Sequence, residues 1–431
     1  MGRYLLGILA LLKNCIYSDV VNFDGDIKDF VVGNSTLFVL TDHRLHQMRH
    51  DLYEEKTKDI TNAIHHNRVN ILVPFEANGT LITCGTFEGY CEVLDINNIT
   101  NSIYYESYIL VGPRQNEKSV AFIAGRYLLV GKKDDDETAQ GNRYSVVSLW
   151  NTLESQPGRI FSKLAEVSDA SIQSTVRDVV FVDGFQRVSP SESYLFLNTK
   201  TDNERKVLVL RMNSAKEKKM DIIKSLQSAT IQCCSDKVRP VLVACTVIPS
   251  VNGVIWAAGV FSAENQQDPE NSAALYDISN VQGRVKGFCA YGENPCGSES
   301  GSELQPLSVV FKYSSMSAVA AVRIGSWIVL FIGTSDGQLI KLVLDEKFTP
   351  GCPTVLYKSD DERAVLPRMH FDPVDYKHIY IALRQQLRRV SVVQCGNYST
   401  LKDCRAAQDP LCCWCVNTHR CSTQDECSDT S

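Results

Sequence analysis

The chain has 431 residues, 44 basic and 50 acidic side chains, a net charge of −6 and 44% hydrophobic residues, with 16 cysteines. That balance excludes a nucleic-acid binder built on a basic surface, and it excludes a disordered chain too poor in apolar residues to form a core. The length suits two or three domains.

Residues 1–18 have the layout of a secretory signal: Arg3, an apolar stretch from Tyr4 to Leu12, and the small Ser18 at the cleavage position. No later run is apolar over about eighteen residues, so the sequence reads as secreted rather than anchored. Four sequons, at Asn34, Asn78, Asn98 and Asn397, fit a lumenal route and mark expected glycosylation sites.

From residue 19 onward, short apolar runs alternate with turn chemistry. They include Leu37–Thr41, Ile71–Phe75, Leu81–Cys84, Tyr127–Gly131, Tyr144–Trp150, Val179–Asp183, Tyr194–Asn198, Lys206–Met212, Val241–Val247, Val254–Phe261, Trp327–Ile332, Leu339–Leu344, His378–Leu383 and Leu387–Val392. Their length and their Val, Ile, Leu, Tyr and Phe content predict strands. Only Ser214–Ser228 has helical spacing, with Met220, Ile223 and Leu226 on one face. An all-β chain of this length manages its edges best as a ring of four-stranded sheets, and seven blades allow about 54 residues each. A double β-sandwich also fits the pattern. Residues 264–306 are polar and break the rhythm, and read as an insertion projecting from the core, tied by Cys289 and Cys296.

Several motifs look like chemistry and have plainer readings. Gly333-Thr334-Ser335-Asp336-Gly337 matches a nucleophile elbow, but a second strand follows where a helix is needed, so it reads as a hairpin turn. Asp134-Asp135-Asp136-Glu137 lacks the alternating ligands and glycine of a calcium loop and reads as a solvated acidic loop or a docking loop for a basic partner. His65-His66 has no third metal ligand nearby. Lys216–Lys219, with Glu217 inside it, reads as a solvated surface. No catalytic group, cofactor site or metal site is expected.

Seven cysteines crowd between Cys395 and Cys427: Cys395, Cys404, Cys412, Cys413, Cys415, Cys421 and Cys427. A segment this short needs covalent staples, which form in an oxidising compartment. Cys412-Cys413-Trp414-Cys415 with His419 could hold zinc, but disulfides are the better reading in a secreted chain.

Four stretches resemble the N-terminal ectodomain of plexins, a sema domain followed by a plexin-semaphorin-integrin (PSI) cysteine module. They are Phe23–Leu52, the C-G-x-x-x-x-G-x-C run Cys84–Cys91, Val319–Leu344, and Asp409-Pro410-Leu411-Cys412-Cys413-Trp414-Cys415. Trp256–Ser262 and Gly351–Tyr357 are similar to the plexin C class. The resemblance implies a seven-bladed β-propeller over 19–393 and a disulfide-rich PSI module over 394–431. It implies the bridges Cys84–Cys91, Cys395–Cys412, Cys404–Cys421 and Cys415–Cys427. The pairing of Cys233, Cys234, Cys245, Cys289, Cys296 and Cys352 stays open. The family's second PSI cysteine falls at Leu401 and its partner beyond Ser431, while Cys413 stands where the family usually has glycine.

As function, the resemblance implies a semaphorin-binding receptor ectodomain. The longer membrane-anchored parent would carry immunoglobulin-like repeats, one span and a cytoplasmic GTPase-activating region. The chain would then be a fragment, a short isoform or a soluble decoy. A secreted semaphorin-like ligand of the same architecture is the alternative; a growth-factor receptor kinase ectodomain and a secreted hydrolase fit less well. In the family the partner meets the edges of the third and fourth blades. That places the expected contacts in the loops Lys132–Arg143 and Asp183–Arg187, with Asp134, Asp135, Asp136 and Glu137 steering a basic surface and Arg143, Asp183 and Arg187 beside them.

Overall fold

The computed structural model describes residues 19–60, 69–85, 91–106, 118–132, 143–152, 169–173, 175–201, 204–234, 238–249, 254–264, 269–290, 296 and 301–428. The signal segment 1–18, His65-His66 and the acidic run 134–137 lie outside these residues.

Each blade is an antiparallel sheet whose first strand is innermost. Blade 1 contains β2 (Ile27–Val32), β3 (Leu37–Thr41), β4 (Arg44–Met48) and β5 (Glu54–Asp59). All five residues of β3 are buried, because neighbouring blades cover both faces of a middle strand. Strand β5, Glu-Glu-Lys-Thr-Lys-Asp, is mostly exposed, a charged outer edge that resists pairing with another chain. Blade 2 contains β6 (Val69–Phe75), β7 (Thr80–Gly85), β8 (Cys91–Asp95) and β9 (Asn98–Glu106), with Cys84–Cys91 bridging β7 and β8. Blade 3 contains β10 (Val120–Ala124), β11 (Tyr127–Gly131), β12 (Arg143–Asn151) and β13 (Asp169–Gln173).

Blade 4 contains β14 (Val176–Arg187), β15 (Glu192–Thr201), β16 (Glu204–Asn213) and β17 (Gln227–Ile231). The expected helix is the single short α1 (Lys219–Lys224), which buries Ile222 and Ile223; Ser228 already belongs to β17. Blade 5 starts with β18 (Val241–Pro249), β19 (Ile255–Ser262) and β20 (Glu270–Asp277), and its fourth strand is β23 (Ser308–Ser314). Between β20 and β23 run β21 (Phe288–Cys289) and β22 (Ser302–Leu304).

Blade 6 contains β24 (Met316–Ile324), β25 (Trp327–Thr334), β26 (Gln338–Leu344) and β27 (Thr354–Lys358). The Gly333–Gly337 run is the β25–β26 hairpin, as its Asp-Gly pair predicts. Gly337 has φ +82°, and a Cβ there would come within 2.6 Å of the Arg363 carbonyl oxygen. Blade 7 takes β28 (Val365–Phe371), β29 (His378–Leu383) and β30 (Gln386–Ser391) from the end of the propeller, and its fourth strand is β1 (Val20–Asn22). Seven blades thus form a closed β-propeller, and the sandwich alternative is excluded.

The closure pairs Val20 with Arg388, Val21 with Leu387 and Asn22 with Gln386. Beneath it, Phe23, Ile27, Phe30, Leu37, Tyr380, Ala382 and Leu387 form one buried cluster shared by blades 1 and 7. Asp372 is buried there and accepts hydrogen bonds from the Val374 amide at 2.9 Å and Arg389 Nε at 2.8 Å. Burial pushes its carboxyl up, but these bonds hold it below the usual range.

In blades 1 to 6 the first-to-second and third-to-fourth connections share one face, here the lower face, and in blade 7 β30 ends on that same face. The second-to-third and blade-to-blade connections share the upper face. Beyond blade 7, α2 (Leu401–Ala406), β31 (Cys413–Cys415), β32 (Arg420–Ser422) and α3 (Gln424–Ser428) form the cysteine-rich module.

Leu387→Ala at the closure is expected to cost about 2–5 kcal/mol of stability, read by chemical denaturation. The exposed Arg384–Asp26 pair at the same junction is worth about 1 kcal/mol or less, so Arg384→Ala should move the midpoint little.

Candidate partner-binding surfaces

The structure separates the residues expected to share one partner-binding edge. Asp183 is not in a rim loop. It follows a bulge in β14, the inner strand of blade 4, which continues to Arg187. The Asp-Gly pair at 183–184 has turn chemistry, but it falls inside a strand, and Asp183 Oδ1 accepts from the Gly184 amide at 2.8 Å. Its electrostatic neighbours are Arg368 of β28 and Asp29 of β2, brought from blades 7 and 1. Arg368 Nη1 donates to Asp29 Oδ2 at 2.6 Å. Desolvation pushes both carboxyls up, against the pull of Arg368. Beside them His370 is half-buried, and desolvation together with Arg368 pulls its pKa down to about 4, so it is neutral at physiological pH. A cavity of about 450 Å³ opens here, lined by Ile27, Asp29, Lys118, Ser119, Phe181 and Arg368. Asp183 therefore belongs to the inner ring rather than to a docking edge.

Arg187 closes β14 at the turn into β15, on the lower face. Its Nη1 lies 3.9 Å from Glu192 Oε2. Glu192 is buried, is also held by Arg211, and accepts from the Tyr194 hydroxyl at 2.9 Å. No spacing in the sequence signals this cluster. Arg143 opens β12, paired with Gln173, at the upper-face end of blade 3. Arg143 and Arg187 thus stand at opposite faces of the disc, and no single docking edge contains both.

The insertion does not project as a free excursion. The polar stretch from Glu264 leads within the β19–β20 connection to Glu270, the first residue of β20, and the chain leaves blade 5 only after β20. Strand β21 pairs with β13 on the outer edge of blade 3, and β22 runs parallel to β17 on the outer edge of blade 4. Sheet edges left with open donors and acceptors invite unwanted pairing, and the insertion covers two of them. Cys289 pairs with Cys296, and Cys233 pairs with its neighbour Cys234 at the blade 4–5 connection. Cys245 is an unpaired thiol inside blade 5, pushed well up by burial and hence unreactive.

The cysteine module is bridged as Cys395–Cys412, Cys404–Cys421 and Cys415–Cys427, the crossed pattern expected. Cys413 is unpaired, with its sulfur 3.3 Å from that of Cys427. The sulfurs of Cys413, Cys415 and Cys427 cluster, but two of them are spent in a bridge, which leaves one thiol and no metal-ligand set.

The module sits on the lower face against blades 6 and 7. Lys341 of β26 donates to Asp409 Oδ2 at 2.6 Å and to the Val392 carbonyl at 3.0 Å, with both charged side chains buried. Asp409 also accepts from the Leu411 amide, so the Asp-Pro signature both folds its own loop and anchors the module. Lys377 of blade 7 reaches Asp425 and Glu426 of α3.

The sequon residues Asn34, Asn78 and Asn397 are exposed and Asn98 is half-buried. Asn34, Asn78 and Asn98 lie at the β2–β3, β6–β7 and β8–β9 connections, on the face that carries the module. Among the described residues, no helix is long and apolar enough to cross a membrane.

No family model matches the chain. Human Plexin-C1 is 31% identical over 206 residues, covering 44% of this chain and 13% of that protein, and mouse Plexin-C1 is 31% identical over 201 residues with the same coverage. Zebrafish Plexin A3 is 35% identical over 115 residues, covering 26% of this chain and 6% of that protein. The chain therefore spans only a small part of these relatives' length. Among solved structures, the full extracellular region of Plexin A4 matches with a TM-score of 0.73 at 17% identity, covering 94% of this chain and 50% of that one. Drosophila Plexin A in complex with Semaphorin 1b matches at 0.66, 12% identity, 94% and 93%. Drosophila Semaphorin 1a matches at 0.64, 15% identity, 94% and 93%. At these identities the structures establish the shared fold.

Folding raises the Asp183 pKa, so the native protein holds that proton more tightly than the unfolded chain. The resulting penalty is fully present above the folded pKa and fades as pH falls through it. Asp183→Asn is expected to raise the thermal midpoint at pH about 7.5 and to gain less at pH about 4.5; Arg368→Met should lower it at pH about 7.5. At the module joint, Lys341→Met strands a buried carboxylate and should cost about 3–5 kcal/mol, while Lys341→Met with Asp409→Asn should recover most of it in the same denaturation assay.

Proposed function

We propose that this chain, a plexin-like sema propeller with a PSI-like cysteine module, is a semaphorin-binding ectodomain that meets its partner through the upper-face edge of blades 3 and 4. The reading is carried by the plexin-like propeller itself, which shares sequence with Plexin-C1 and closes into a rigid disc. Plexin homology implies extracellular or cell-surface placement, where the disulfides and sequons belong. Signalling in cell guidance or adhesion would be the work of a longer membrane-anchored parent.

Two features support the choice of edge. The sequons of blades 1 and 2 and the cysteine module occupy the lower face, so glycans at Asn34, Asn78 and Asn98 would leave the upper face bare. Strand β11 ends and β12 begins, with Arg143, at that upper face, and the sequence between the two strands holds Asp134, Asp135, Asp136 and Glu137. Four acids there speed encounter with a basic surface, while close pairs set the dissociation rate. Asp183 and Arg187 drop out, because one faces the inner ring and the other the lower face.

The test is a panel of semaphorin ectodomains on a biosensor, with the combined Asp134→Asn, Asp135→Asn, Asp136→Asn and Glu137→Gln variant. The on-rate should fall several-fold at low salt and converge with the parent at high salt, where the Debye length shrinks to about 3 Å. Equal on-rates at both salts would remove the acidic loop from the interface. Failure to bind any semaphorin would remove the receptor reading, and stable self-association with binding to plexin ectodomains would favour a semaphorin-like ligand.

A further inference from the structure

Three cysteines carry no bridge among the described residues: Cys245, Cys352 and Cys413. Cys245 is buried within blade 5, and Cys352 is exposed ahead of β27. Cys413 is set apart by a disulfide that lies against it. Strand β31 is Cys413-Trp414-Cys415, and alternate residues of a strand point to one face, so Cys413 and Cys415 share a side. Helix α3 brings Cys427 to that side. Cys427 is bridged to Cys415, yet its sulfur also lies 3.3 Å from the Cys413 sulfur. All three sulfurs fall within 4.8 Å of one another.

A separation of about 3–3.5 Å is that of reacting atoms poised for attack. The frame around them is fixed by other means. The β31–β32 register sets Cys413 opposite Ser422 and Cys415 opposite Arg420. The bridges Cys395–Cys412 and Cys404–Cys421 tie the same hairpin to the rest of the module. The Cys427 amide donates to the Thr423 carbonyl at 3.1 Å, and Lys377 of blade 7 pairs with Asp425 at 2.7 Å and with Glu426 at 3.5 Å. Helix α3 therefore has holds besides its bridge, and Cys427 stays between the two strand cysteines while its bond changes hands.

We propose that Cys413, Cys415 and Cys427 form a thiol–disulfide exchange site, in which Cys427 switches its bridge between the two cysteines of β31. The Cys413 thiolate attacks Cys427 Sγ. The Cys413–Cys427 bond forms, the Cys415–Cys427 bond breaks with its electron pair on Cys415 Sγ, and the proton given up by Cys413 ends on Cys415. One bridge and one thiol enter and leave, so no oxidant or reductant is consumed.

The two isomers present their free thiol differently. Cys413 is half-buried and lines a cavity of about 210 Å³ with Trp327 and Arg405, whereas Cys415 is buried. Exchange thus moves the thiol from a site open to small reagents to a shielded one. The inference needs an oxidising compartment and is independent of which partner the propeller binds.

The experiment incubates the secreted full chain at pH about 8, quenches exchange in acid, and maps the bridges by mass spectrometry without reduction. Cys427 should be found bridged to Cys415 in one population and to Cys413 in another. On the native chain, N-ethylmaleimide should label Cys413 in a fast phase and then a slow one. The slow rate should rise several-fold between pH about 6.5 and about 8, because the thiolate is the attacking species. Labelling is read peptide by peptide, with Cys352 as the reference. Cys415→Ser should be secreted with Cys427 bridged to Cys413, and Cys413→Ser should show the Cys415–Cys427 bridge alone. The proposal is overturned if the parent yields a single bridge at Cys427, or two that do not interconvert. It is equally overturned if Cys413 is bridged to any other cysteine, or if Cys415→Ser folds with both Cys413 and Cys427 alkylated. Should Cys415→Ser fail to be secreted, the bridge map of the parent decides.

Discussion

The pairing of β1 with β30 is the contact on which the rest of the structure depends. Three residues near the beginning of the described chain supply the outer strand of a sheet whose other strands come from its end, with Asn22 and Gln386 separated by 364 positions. The bond network itself is small. Its importance lies in what it fixes, because a ring that is shut gives every blade two packed faces. Phe23, Phe30, Tyr380 and Leu387 then lie in one cluster between the first blade and the last. Buried Asp372 pairs with half-buried Arg389 within this seam, where an uncompensated carboxylate would be costly and directed bonds from Val374 and Arg389 satisfy it.

A shut ring also explains why the two faces of the disc differ. Every inner strand runs in the same direction, so turns of one kind gather on one side. The cysteine module docks on that side through Lys341 and Asp409, and three sequons lie there too. The opposite side carries the second-to-third connections, β11–β12 and β15–β16 among them. Division of labour between faces follows from strand order rather than from any particular residue.

Much of the fold was legible because its signals are local. Apolar runs of five to eight residues, an Asp-Gly turn at 336–337 and a crowded cysteine tail each report on their own neighbourhood. The crossed bridges Cys395–Cys412, Cys404–Cys421 and Cys415–Cys427 came from resemblance, not from spacing, which permits many pairings. What failed was reading across distance. Asp183-Gly184 has the chemistry of a turn, but the bulge in β14 lets the strand continue, and the carboxylate finds Arg368 from another blade. Arg143 and Arg187 looked like neighbours on one edge, yet three passages across the disc, β12, β13 and β14, separate them and put them on opposite faces. The acidic and polar insertion looked like an excursion because hydrogen bonds to β13 and β17 leave no mark in composition.

The path of the insertion ties together units that would otherwise be interchangeable. After β20 the chain leaves blade 5, bonds to the outer strands of its two predecessors, and returns to supply β23. Blade 5 is thus unfinished until the segment has engaged sheets already formed, an order that matches synthesis from the amino terminus. In the mature protein the same path makes these three blades a single cooperative block, and fluctuations that peel one of them outward must strain the other two. Stiffness is therefore unevenly distributed around the disc, greatest in the sector whose rim is proposed to meet another protein.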